Sequence, residues 1–285
     1  MASSPILLVS PDGMLGHAFE LLLRSRALPF DGVSWPAFDL TKPDSVEPHM
    51  HAGLRTIVNC SAFTDVDGAE TRENEATAIN GGGVGLLAAH ARRLGALLVH
   101  FSTDYVFDGH AASPYPVDHP ISPVNAYGRS KAAGEKAILD SGCQHLIVRT
   151  SWLYAPWAKN FVLTMLGLGR ANASIRVVSD QVGRPTSAQY LAERTLALAR
   201  HGARGIFHVT DGGSCSWHEL ASAVIEQSAS ACRVDPCTSA EFVRPARRPA
   251  YSILDLSKTE VLLGASRSWR DNVAAVLAEH ERATQ

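Results

Sequence analysis

The chain of 285 residues offers little that would tie it to nucleic acid, membrane or metal. Its 26 basic residues are matched by 28 acidic ones, and no basic block concentrates them. That balance speaks against a nucleic-acid surface. No apolar run approaches the ~20 residues that span a bilayer. The start, Met-Ala-Ser-Ser-Pro over residues 1–5, lacks the charged opening and apolar core of a secretory leader. A soluble cytoplasmic protein with no membrane partner is expected. The five cysteines, Cys60, Cys143, Cys215, Cys232 and Cys237, are odd in number and scattered, which excludes a disulfide framework. Cys232 and Cys237 have no second pair to complete a zinc set, and the twelve histidines are dispersed, so no metal site is expected. A complete glycine-rich phosphate loop is also missing.

What is present is an alternation of short apolar runs with helical patterns. Strands are predicted at 6–9, 56–59, 97–101 and 145–149, and helices at 14–23, 76–94 and 126–139. Continuously apolar strands between helices indicate a parallel sheet covered on both faces, an α/β doubly wound, Rossmann-like fold. After Thr150 the rhythm changes to an aromatic loop with Trp152, Tyr154, Pro156 and Trp157. Helices follow at 161–168, 187–200, 217–225 and 269–277, with a short strand at 175–178 and a returning sheet strand at 205–209. Residues 1–150 with about 187–210 are expected to form a dinucleotide-binding domain. Residues 151–186 and 211–285 are expected to form a smaller, interleaved C-terminal substrate lobe.

After the first strand comes Ser10-Pro-Asp-Gly13-Met14-Leu15-Gly16, opening a helix. The spacing fits a G-x-x-G-x-x-G loop with Ser10 in place of the first glycine. Glycines there let backbone amides approach a pyrophosphate, and the helix N-terminus favours its charge. Ser10 puts a side chain where unusual φ is wanted, Pro11 removes a donor, and Asp12 adds a negative charge near a negative ligand. Alternatively, Asp12 simply caps the helix. The second strand should end near Val33-Ser34-Trp35, where neither an acid for a ribose 2′-hydroxyl nor an arginine for a 2′-phosphate stands. These residues leave NADPH and NADH both open as the coenzyme of such a loop. Asp39-Leu40 follows, as an adenine contact or as a cap before Thr41.

Tyr127 and Lys131 are four apart on a predicted helix and so share one face. A tyrosine with pKa ~10 needs help to act at neutral pH. A nearby ammonium favours the phenolate and is expected to lower that value. The strand before this helix ends in Ser102-Thr103, and ligands of a doubly wound sheet sit at the carboxyl ends of strands. Thr103 would present its hydroxyl beside the same substrate oxygen, or serve as an ordinary cap. Asn59-Cys60-Ser61-Ala62-Phe63-Thr64 ends the strand before that and can pass close to a cofactor.

At these residues the chain resembles the dTDP-4-dehydrorhamnose reductase family of the extended short-chain dehydrogenase/reductases. The resemblance runs through segments 58–70, 102–109, 127–135, 149–154, 180–186 and 244–251, nearly the whole chain. It implies Tyr127 as proton donor, Lys131 as its partner and Thr103 as the tuning hydroxyl. It implies cofactor contacts from Ser10, Gly13, Met14, Leu15, Gly16, Asp39, Leu40, Ala62, Phe63, Thr64, Phe101, Tyr127 and Lys131. It implies contacts to a dTDP-sugar from Thr103, Asp104, Trp152, Asn160, Arg184, Arg247 and Arg248, the arginines facing the diphosphate or solvent. Some members bind magnesium at a dimer contact through glutamates; the matching positions here are Ala18 and Gln189, so no metal is carried over and a monomer or weak homodimer is expected. The altered loop also fits a catalytically silent regulatory homologue, and a 4-ketoreductase of another deoxysugar pathway is a further alternative.

Overall fold

The computed structural model describes residues 5–284; Met1–Ser4, on which the reading of the N-terminal stretch falls, and Gln285 lie outside them. Six strands form one parallel sheet: β1 (Ile6–Val9), β2 (Asp31–Val33), β3 (Thr56–Asn59), β4 (Leu97–Thr103), β5 (His145–Thr150) and, from the second half, Gly205–His208. The spatial order is 205–208, β5, β4, β3, β1, β2, so the chain reverses direction across the sheet between β1 and β3. The strands are apolar throughout because both faces are covered. Leu8, Val58, Val99, Leu146 and Val148 point to one face, against α1 (Met14–Ser25). Leu7, Val9, Ile57, Leu98 and Ile147 point to the other, against the helix Val84–Leu94.

The predicted 76–94 helix starts earlier and is not uniform. An α-turn, Glu73–Thr77, runs into a π-helical segment, Ala78–Gly83, before α2 (Val84–Leu94). Periodicity does not reveal such a widening, although π segments gather at functional sites. Next come α3 (Ala126–Ser141), α4 (Phe161–Ala171), β6 (Ser174–Val178), α5 (Ala188–Arg200) and β7 (Gly205–His208). α6 (Trp217–Gln227), β8 (Arg233–Cys237), α7 (Ser257–Leu263) and α8 (Trp269–Thr284) complete the chain. α4, α6 and α8 share a separate apolar cluster that includes Val162, Leu166, Leu220, Val224, Trp269 and Val273. β8 and α7 were not anticipated; β8 contains Pro236 and pairs only with β6, where a missing N–H is tolerated. Among the described residues no helix is long and apolar enough to cross a membrane, and no group of three or more potential ligands is placed to hold a metal.

Candidate active site

The turn after β1 keeps the backbone course of a phosphate loop despite its missing glycine. Ser10 takes a φ of 60°, a left-handed conformation that side chains disfavour. Its N–H donates to the Val33 carbonyl (2.7 Å), and its own carbonyl accepts from Gly13 N (3.2 Å). Gly16 lies so close beneath that a Cβ there would stand 1.8 Å from the Ser10 carbonyl oxygen. Asp12 does not cap α1. Gly13 occupies the N-cap with no side-chain hydrogen bond, and the Asp12 carboxylate instead accepts the Ser34 hydroxyl at 2.6 Å. The first-turn amides of α1 therefore lack a side-chain cap at the end of the helix that attracts anions, which fits a pyrophosphate. Met14 and Leu15 open that turn, with the Met14 carbonyl held by Trp157 Nε1 (3.1 Å).

Of the other expected cofactor contacts, Phe63 is the most tightly fixed. Asn80, within the π segment, accepts from Phe63 N (2.8 Å) and donates to its carbonyl (3.1 Å) and to Ser130 Oγ (2.9 Å). Ala62 is half-buried beside it and Thr64 is exposed. Leu40 is buried over Gly83. Asp39 caps no helix: the short helix Pro43–Val46 has Lys42 as its N-cap with no side-chain hydrogen bond, and the Asp39 carboxylate instead closes a turn by accepting the Thr41 N–H and hydroxyl and pairs with Lys42 at 3.2 Å. The Phe101 ring also departs from its expected role. It packs on Phe19 in the core (centroids 5.5 Å apart), and only its carbonyl turns to the site.

Thr103, Tyr127 and Lys131 converge at the carboxyl end of β4. Asn125 caps α3 by accepting from Gly128 N (2.8 Å), and Glu70 accepts from Ala126 N (2.8 Å), which fixes the turn carrying Tyr127. Gly128 permits the approach: a Cβ there would lie 2.2 Å from the Tyr105 carbonyl oxygen. The Thr103 hydroxyl donates to Asp104 Oδ1 (3.0 Å) and accepts from Tyr105 N (3.1 Å). Burial, joined by the Asp104 charge, raises the Tyr127 pKa, while the Thr103 hydroxyl acts to lower it. This reverses the expectation of a Tyr127 acidified by Lys131. The ammonium donates instead to the Phe101 carbonyl (2.6 Å), and His100 Nε2 lies 3.3 Å from it. Helical spacing gives the shared face but not the acceptor.

His100 was not legible as a site residue because it sits inside an apolar strand run. It is fully buried, and its Nδ1 faces Asn59 Nδ2 at 3.1 Å. Ser61 N donates to Asn59 Oδ1 (3.1 Å), which orients that amide. Nδ1 is thereby the acceptor and Nε2 carries the hydrogen. Burial holds His100 well below its usual value, with the Lys131 charge adding to the effect. Burial also pushes Lys131 down to about 8, against the opposing charge of Glu135. Glu135 is itself fully buried and bound twice by Arg149, through Nε (2.9 Å) and Nη2 (2.7 Å), and by the Ser102 hydroxyl.

On the sugar side, Asp104 is buried and pushed up to about 6; its burial outweighs the nearby hydroxyls of Ser252 and Thr103. Its Oδ2 has no partner of hydrogen-bonding geometry. Trp152 adopts a φ of 48° and stacks on Trp217 at 3.6 Å, over Gly183. Asn160 departs from its expected substrate role. Its oxygen caps α4 and its amide donates to the carbonyls of Ala155, Trp157 and Ala158, so the side chain organises its own loop. The arginines divide. Arg248 pairs with Asp67 (3.1 Å) below the Tyr105 ring, and exposed Arg247 faces His110 (3.2 Å). Arg184 is felt by Glu260, Tyr251 and Asp255, and burial lowers its pKa. Arg184 Nε and Arg248 Nη1 are buried without partners.

Residues 4–282 match the family model described as RmlD substrate binding domain. A dTDP-4-dehydrorhamnose reductase of Burkholderia thailandensis is 40% identical, over 87% of this chain and 89% of its own. A probable dTDP-4,6-dihydroxy-2-methyloxan-3-one 4-ketoreductase of Streptomyces antibioticus is 40% identical, over 93% of this chain and 91% of its own. The crystal structure of dTDP-4-dehydrorhamnose reductase from Bacillus anthracis in complex with NADP superposes with a TM-score of 0.91 at 32% identity, covering 97% of this chain and 99% of that one. With its parallel sheet, its phosphate turn and a Thr103–Tyr127–Lys131 set in place, the chain belongs to the RmlD substrate binding domain family, that of the dTDP-4-dehydrorhamnose reductases.

Proposed function

We propose that the protein reduces the C4 ketone of a dTDP-4-dehydro-6-deoxy-sugar, dTDP-4-dehydro-L-rhamnose in the first instance, with NADPH or NADH. The observation that carries this reading is the convergence of Tyr127, Thr103 and buried Lys131 at the carboxyl end of β4, beside the uncapped α1 turn. The dinucleotide supplies a hydride to C4 when bound. The chain's task is to protonate the resulting oxyanion. Burial keeps Tyr127 a neutral phenol, the form that donates. The Thr103 hydroxyl stabilises the phenolate left behind by turning its one hydrogen from Asp104 to Tyr127. Lys131 holds positive charge in the same buried space and would hold the nicotinamide ribose hydroxyls. Residues 1–150 with about 187–210 hold the dinucleotide; 151–186 and 211–285 hold the sugar nucleotide through Trp152, Arg184, Arg247 and Arg248. The protein works in the cytoplasm as a monomer or weak homodimer.

The test is coenzyme oxidation with dTDP-4-dehydro-L-rhamnose, run beside Tyr127→Phe. The variant is expected to bind coenzyme as the parent does and to lose at least about a hundredfold in kcat, the contribution of a positioned general acid. Near-normal turnover by Tyr127→Phe would sink the assignment. The Streptomyces antibioticus relative, named for another deoxysugar ketone, makes that class of 4-keto sugar nucleotide the second substrate to assay.

A further inference from the structure

The strand-end position that reads the adenosine ribose in a doubly wound fold is the residue just beyond β2. Here it is Ser34, which has no charge of its own. The turn after β1 is clamped against this point: Ser10 N donates to the Val33 carbonyl at 2.7 Å. Pro11 packs beside the preceding residue, since a Cβ on Gly32 would stand 3.2 Å from Pro11 Cγ. Asp12 reaches from that turn to the Ser34 hydroxyl, 2.6 Å from its Oδ1. The carboxylate that β2 lacks is thus delivered from the phosphate turn. Asp12 is exposed and forms no ion pair among the described residues. Neither 10–16 nor 34–40 contains a lysine or arginine. The nearest cation in sequence, Lys42, is paired with Asp39.

We propose that Asp12 and Ser34 are the coenzyme-selecting pair of this chain, accepting a dinucleotide with a free adenosine 2′-hydroxyl and rejecting one with a 2′-phosphate. The inference rests on the reading that a nicotinamide dinucleotide lies across the α1 turn. A ribose 2′-hydroxyl donates to a carboxylate, which has acceptor capacity left after one bond to Ser34. A 2′-phosphate has no hydroxyl hydrogen to donate there, brings nearly two negative charges to the same carboxylate, and meets no cation in either segment.

The experiment titrates the purified full-length protein with NADH and NADPH, without sugar, by calorimetry or by transfer of tryptophan fluorescence to the reduced nicotinamide. NADH is expected to bind at least about tenfold more tightly than NADPH, the factor for such repulsion at a hydrated surface. Raising the salt concentration should narrow the gap. Asp12→Asn keeps an acceptor for Ser34 and removes the charge; it should reduce the ratio about tenfold, chiefly by tightening NADPH. Asp12→Asn with Ser34→Arg should reverse the preference. NADPH binding as tightly as NADH to the parent protein overturns the inference while the reductase reading stands. So does an unchanged ratio in Asp12→Asn, because Asp12 is then a latch for Ser34 alone. Binding of neither coenzyme overturns the dinucleotide reading and this inference with it.

Discussion

Replacing Glu135 by Gln strikes at the contact that fixes α3, and with it Tyr127 and Lys131, to the sheet. The parent carboxylate accepts two hydrogen bonds from Arg149 and one from Ser102. Arg149 is 2% exposed and Glu135 fully buried. After substitution Arg149 keeps the Val117 carbonyl (2.9 Å) and the Phe107 ring, 5.0 Å away, but loses its only counter-charge among the described residues. Leaving such a charge unpaired costs about 3–5 kcal/mol. Denaturant unfolding followed by circular dichroism should show that loss as a lower midpoint with an unchanged slope. Adding Arg149→Met removes the stranded charge, and the double variant should regain about 2 kcal/mol or more over Glu135→Gln alone. A loss below about 1 kcal/mol, or strict additivity of the two substitutions, would refute the claim that the pair works as a unit. A second readout follows from sign. The Glu135 charge raises Lys131, so its removal should move any alkaline limb governed by Lys131 in the pH profile of kcat/KM toward lower pH.

Lys131→Met should abolish turnover yet stabilise the fold. Its folded value of about 8 lies below the free value of 10.5. Between those two pH values the folded chain binds fewer protons, so stability rises with pH across the window, and below it the full cost of about 3 kcal/mol is present. Allowing for the contacts to Phe101 and His100 that the side chain makes, Lys131→Met should gain about 1–3 kcal/mol at pH 7 and lose the rise between pH 8 and 10.5; a less stable variant with the rise intact would contradict this. Ser10→Gly removes the left-handed strain of about 1–2 kcal/mol and adds about 0.5–1 kcal/mol of unfolded-chain entropy. A gain of a few tenths to about 1 kcal/mol in thermal unfolding is expected, and a clear loss of stability would show that Ser10 is unstrained.

The sheet was legible because strands such as Leu97–Val99 and Leu146–Val148 are covered on both faces and therefore continuously apolar. The Thr103, Tyr127 and Lys131 set was legible because strand ends and helical spacing dictate where side chains meet. The partners of that set were not. Lys131 can swing toward several acceptors from one helical face, and its choice of the Phe101 carbonyl, beside His100, is made by burial. His100 is hidden inside an apolar run, and Asn59 read only as a small-residue junction. Asp12 and Asn160 show the converse error. Asp12 matched a cap but is bound to the remote Ser34, whereas Asn160, matched to a substrate contact, caps α4, a role its place before Phe161 could have named. The pairing of Glu135 with Arg149 is remote in sequence and met only across α3 and β5.

The placement of β7 bears on how the chain is made. β5 ends at residue 150, but its outer neighbour in the sheet is not complete until residue 208. During synthesis some sixty residues emerge while the edge of β5 is open, its Leu146, Ile147 and Val148 unable to pair on that side. A parallel edge of this composition invites pairing with other chains. A fragment ending after α5 at residue 200 would carry the whole Tyr127 and Lys131 machinery and still be prone to aggregate, because the strand that seals the sheet belongs to the second half of the sequence.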